Sequence, residues 1–122
     1  MTREIKFRSW NTISKKMFSA EEMAKDQLTL LPTGEFINVH GVSTKLSEIY
    51  PTDVMIPLQF TGLLDRNGKE IYEGDIIKTA EEHLEGVWKS PSHNVVVEWP
   101  FLLLNSVLAG EIIGNIYDNP EL

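Results

Sequence analysis

Two tight glycine turns, Asp65-Arg66-Asn67-Gly68-Lys69 and Glu73-Gly74-Asp75, stand a few residues apart among short apolar runs and restrict this chain more than any other feature. An Asn-Gly pair makes positive backbone φ cheap, which a tight hairpin requires and a helix rejects. Between the turns there is room only for one short strand, Glu70-Ile71-Tyr72. Leu58-Gln59-Phe60-Thr61, ahead of Gly62, and Ile76-Ile77-Lys78-Thr79, behind Gly74, read as its neighbours. Farther on, Gly86-Val87-Trp88, Asn94 to Trp99 and Glu111 to Tyr117 supply three more β-prone runs. Short strands at regular turn spacing predict a mostly β fold with minor α, in the form of a small SH3-like or related β-barrel or sandwich.

The amino-terminal half is less regular. Ile5 and Phe7 alternate with Glu4, Lys6 and Arg8, the period of two that marks a half-buried strand. Asn11 to Lys16 is turn-like and Met17-Phe18 reads as the return strand, completing an N-terminal β-hairpin. Ser19-Ala20-Glu21-Glu22 matches a capping box, in which the serine oxygen and the glutamate satisfy free amides at a helix start. One short peripheral helix over residues 20–27 is expected, stopped before Pro32 and Gly34. Phe36-Ile37-Asn38-Val39 reads as a strand, and residues 46–50 as extended chain or a single helical turn. The whole is expected to be a single domain over residues 1–122: hairpin and helix in 1–31, a variable connection in 32–56 and a barrel-like core in 57–122. Phe101 to Ala109, bounded by Pro100 and Gly110, is expected to be extended core chain broken at Asn105-Ser106.

Composition narrows the roles. Leu, Ile, Val and Phe make up 37 of 122 residues, enough apolar material to bury a core rather than remain disordered. With no cysteine there is no disulfide framework, thiolate nucleophile or Cys-ligated metal. Neither a signal-like apolar run near the amino terminus nor a membrane-length helix is legible, so a cytoplasmic protein is expected. The net charge of -7 opposes non-specific adhesion to phosphate backbones and anionic membranes. That charge is uneven: residues 1–16 carry +4 and residues 17–122 carry -11. A cationic arm thus precedes an anionic body, suited to folding back on its own domain, to pairing with a neighbouring subunit or to touching nucleic acid, the first two being the simpler uses.

No chemical motif assembles. Five residues separate Gly62 from Gly68 where a phosphate loop needs four, and Glu70 stands where a magnesium-binding Ser or Thr belongs. Asp65 and Asn67 hint at a calcium loop, but Gly68 comes too early and Lys69 occupies a ligand position. His40, His83 and His93 form no close ligand pair. Glu81, Glu82, His83 and Glu85 are the densest group of candidate ligands and are read as a solvated loop, since a hard cation needs oxygens converging on one point. Glu70, Glu73 and Asp75 are carboxylates close in sequence, of which Asp75 is expected to accept turn amides. The expectation is therefore no enzyme, no cofactor and no metal.

The run Gln59-Phe60-Thr61-Gly62-Leu63-Leu64-Asp65-Arg66-Asn67-Gly68-Lys69-Glu70-Ile71-Tyr72-Glu73-Gly74-Asp75-Ile76-Ile77 closely resembles the central signature of the YopX family of phage and prophage proteins. Arg3 to Trp10 resembles that family's opening segment and Ile113 to Leu122 its closing one, in the same order. Ser9-Trp10-Asn11 stands where the family usually has Ala-Trp-Asp, which puts in doubt any role for an acid at residue 11. The resemblance implies a mostly β protein of phage origin acting inside a bacterial host as a homo-oligomer, and it supplies no catalytic residues. Two readings follow: a self-associating module that also contacts a phage or host protein, or a nucleic-acid-binding module. Lys6, Arg8 and Trp10 would share one face of the first strand. They are the candidate interaction surface in both readings, as a stacking platform with positive charge in the second. Packing of Trp10 within its own domain or against a subunit competes with that use.

Overall fold

The computed structural model describes residues 4–38, 49–79, 82–84, 87–90, 94–98 and 110–122, with backbone alone over 82–84 and 87–90. The Phe101 to Ala109 run, Trp99, His40, His93, Glu81 and Glu85 lie outside the described residues. The elements are β1 (Phe7–Asn11), β2 (Lys16–Phe18), α1 (Ala20–Lys25), β3 (Leu28–Leu30), β4 (Phe36–Asn38), β5 (Ile49–Tyr50), β6 (Met55–Leu64), β7 (Glu70–Tyr72), β8 (Asp75–Lys78), β9 (Glu82–Leu84), β10 (Val87–Ser90), β11 (Asn94–Val96) and β12 (Glu111–Asn115). The fold is mostly β with one short helix, as the turn spacing predicts.

The chain forms two compact units, one spanning Ile5–Gln59 and one built on Phe60–Leu122. In the first, β1 pairs antiparallel with β2 on one side and with β6 on the other, Trp10 lying opposite Met17 and Ile56. A three-stranded sheet, β3-β4-β5, completes it. The capping box forms as the sequence predicts: Ser19 Oγ accepts from Glu22 N and Glu22 Oε1 accepts from Ser19 N. The helix ends two residues earlier than expected because Gln27 adopts φ 59° and turns the chain into β3. Met23, its one buried residue, joins Phe36 and Met55 in the core, with Phe18, Leu28 and Leu30 packed against them.

In the second unit β8 is central, flanked by β11 and β12 in antiparallel register. Ile71, Ile77 and Val97 are its core, covered by Leu63, Val95 and Ile112. Gly68 and Gly74 take φ of 82° and 89°, so both turns read from the sequence close as expected. Glu82-His83-Leu84, read as solvated loop, is strand β9: the adjacent β-prone Val87–Ser90 run gives it a backbone partner, with Leu84 opposite Val87.

β6 begins at Met55, so Pro57 lies inside a strand rather than ahead of one. Alternate strand residues direct their N–H groups to opposite edges, and among the described residues Met55–Gln59 pairs only with β1. The missing donor of Pro57 is tolerated there. The remainder of β6, Phe60 to Leu64, pairs with β7 through an irregular register around Gly62. The boundary between the two units thus falls within one continuous strand.

Candidate functional site

Two carboxylates of the glycine-rich centre, those of Asp65 and Asp75, accept backbone amides. Asp65 is buried, and its Oδ1 accepts from Asn67 N at 2.8 Å and Lys69 N at 2.9 Å, while Oδ2 accepts from Ile112 N at 2.9 Å. One side chain therefore closes the Asn-Gly turn and ties it to β12, 47 residues away. Burial alone pushes the Asp65 carboxyl upward, but the three amides, helped by the Lys69 ammonium, outweigh it and hold it below its ordinary value. Arg66 N donates to Gly110 O, and the Arg66 guanidinium lies 3.5 Å from Glu111, reinforcing the same junction at the surface. Asp75 Oδ2 accepts from Tyr72 N at 2.8 Å, the turn role expected for it, and Thr61 Oγ1 donates to Ile71 O. These groups bend and fasten strands.

Arg8 and Trp10 are placed by β1, which is interior to its sheet, and Lys6 lies just ahead of it. Its Ser9–Asn11 stretch has a strand on each side, so no open edge is presented there. Trp10 is 7% exposed, leaving little ring surface for a base or a partner to stack upon. Lys6 is half-buried with its ammonium 4.0 Å from Glu21 on α1, and Arg8 is half-buried as well. The cationic arm folds back on its own helix in this respect. Ser9, beside Trp10, is fully buried and its Oγ donates to Met23 Sδ.

What remains exposed from this region is the turn between β1 and β2. Asn11 Oδ1 accepts from Ile13 N and Ser14 N, both at 2.9 Å, and Asn11 O accepts from Lys15 N. Thr12 fastens the turn to the preceding bend of β6, its N donating to Val54 O and its Oγ1 to Asp53 O. On this fixed frame Ile13 is 77% exposed, with Lys15 and Lys16 exposed beside it. The sequence shows the turn and the isoleucine in it; it does not show that this side chain stands uncovered.

The same unit contains an open cavity of about 530 Å³ between the helix-to-β3 bend and strands β2, β5 and β6. Lys25 and Asp26 contribute opposite charges to its wall and Phe18, Leu28 and Met55 contribute apolar surface, with the Tyr50 phenol among them. The volume suits a small ligand, but these groups include no nucleophile paired with a base. Among the described residues no three His, Asp or Glu side chains gather as metal ligands, and no helix is long and apolar enough to cross a membrane.

The family model described as YopX protein matches residues 6–122, nearly the whole chain. Among solved structures, the crystal structure of protein EF1440 from Enterococcus faecalis is similar, with a TM-score of 0.57 and 23% identity over 98% of each chain. That likeness shows a shared fold. No curated protein matches the chain.

Proposed function

Because the chain belongs to the YopX family, we propose that it is a non-enzymatic phage or prophage accessory protein that acts by self-association and by contact with a phage or host protein in the bacterial cytoplasm. The observation that carries this reading is the fate of the signature carboxylates: both oxygens of Asp65 and one of Asp75 accept backbone N–H groups. Groups so used hold a framework and are poorly placed to exchange protons with a substrate. Its surface supports association: Ile5, Ile13, Ile49, Leu64 and Leu122 each expose half or more of their area. Isolated exposed apolar residues are ordinary on monomers, so the reading needs a direct test. Light scattering across micromolar concentrations should report species larger than 13.9 kDa. A strict monomer throughout would refute self-association.

A further inference from the structure

We propose that the β1–β2 turn is the docking element of this self-association, Ile13 seating on an acidic, apolar surface of a second copy with Lys15 and Lys16 facing its carboxylates. The proposal rests on the self-association reading above and adds the residues that perform it. Turns favour Gly, Asn, Asp, Ser and Pro, each for a backbone reason. Ile13 supplies none of these, and at 77% exposure its side chain gains almost nothing from its own chain. The turn nevertheless fixes it firmly, through the two amides held by Asn11 Oδ1 and the attachment of Thr12 to Asp53 and Val54. A preorganised apolar knob loses little conformational freedom on binding, which is how short loops anchor interfaces.

Charge selects the partner. The knob is flanked by exposed lysines in the stretch of net charge +4, and the remainder of the chain carries -11, so another copy offers the complementary sign. Within that remainder the Ile116–Leu122 segment combines both required properties. Ile116 and Leu122 are 38% and 51% exposed, and Asp118 and Glu121 are exposed between them. This segment is held as firmly as the knob: Asn115 Oδ1 accepts from Tyr117 N and Asp118 N, Asn115 O accepts from Asn119 N, and Asn119 O accepts from Leu122 N. Knob and receiving surface are different stretches of the chain. The contact therefore joins unlike surfaces, made twice in a closed pair or repeated around a ring.

The test is sedimentation equilibrium on the wild type, Ile13→Asp, Leu122→Asp and an equimolar mixture of the two variants, with circular dichroism confirming that each is folded. Asp is at home in an exposed turn, so Ile13→Asp keeps the frame intact. The expectation is that each variant alone associates at least about tenfold more weakly than wild type. Salt should weaken the wild-type contact because its charges are exposed. The mixture should recover heterodimers, since one copy contributes an intact knob and the other an intact receiving surface. A monomeric wild type would overturn this proposal together with the self-association reading. An associating wild type matched by Ile13→Asp would overturn the docking assignment alone. A loss with Ile13→Asp that the mixture fails to restore would overturn the assignment of the receiving surface.

Discussion

Replacing Asp65 by Ala removes the acceptor for three backbone amides at once. The amides of Asn67 and Lys69 lie in an exposed turn, where water replaces the carboxylate at a cost of about 0.5 kcal/mol each. Ile112 N is part-buried between β12 and the loop, so stranding it costs about 1–2 kcal/mol. The sum predicts a loss of about 2–3 kcal/mol. Asp65→Asn keeps one carbonyl oxygen for the turn but sets an N–H₂ against either Ile112 N–H or the turn amides, for a loss of about 1–2 kcal/mol. The assay is urea unfolding followed by a probe in the Phe60–Leu122 unit, where both partners of the junction reside. The pH dependence carries a separate signature. Because the folded-state pKa is lowered, the stability it confers is fully present above the unfolded value of ~3.9 and is lost as pH falls through the folded value. Wild type should therefore converge on Asp65→Asn in acid and separate from it near neutrality. A midpoint for Asp65→Ala within experimental error of wild type at pH 7, or a gap that does not narrow in acid, would refute the reasoning.

Other substitutions probe other joints. Gly74→Ala places a Cβ 3.1 Å from the Tyr117 ring at φ 89°, and should lower stability by about 1–2 kcal/mol in thermal unfolding; an unchanged midpoint would mean that the turn relaxes freely. Ser19→Ala breaks the capping box and should cost about 1 kcal/mol, with faster amide exchange confined to Ala20–Lys25 and the turn that follows. Uniform exchange across the Ile5–Gln59 unit would contradict that localisation. Trp10→Ala empties a buried site and should cost about 3–5 kcal/mol; a change below 1 kcal/mol would show that the ring contributes little to the core.

The parts of this fold legible in sequence were those written in neighbouring residues. Asn67-Gly68 and Gly74 announce their turns because the required φ is a property of the residue itself, and Ser19 with Glu22 announces a helix start because the cap closes within four residues. Asp65 shows the limit. Its bonds to Asn67 and Lys69 are local, but its attachment to Ile112 depends on a strand from the far end of the chain, and no spacing encodes that. The burial of Trp10 and the exposure of Ile13 were not legible for a similar reason. Alternation puts Trp10 on a face but does not say whether that face is covered, and turn propensity locates Ile13 without telling whether anything packs upon it. Gln27 misplaced the helix end because a non-glycine residue entered the left-handed region, which residue type alone predicts poorly.

The ten residues of β6 carry the chain from one unit into the next with no intervening linker. Where domains can be exchanged between proteins, the seam lies in tolerant linker chain. Here it lies at Gln59–Phe60, amid backbone that one sheet uses up to that bond and another uses beyond it. Cutting the polypeptide at the seam would leave those pairings in place but end each half in a frayed strand terminus where the intact chain has continuous backbone.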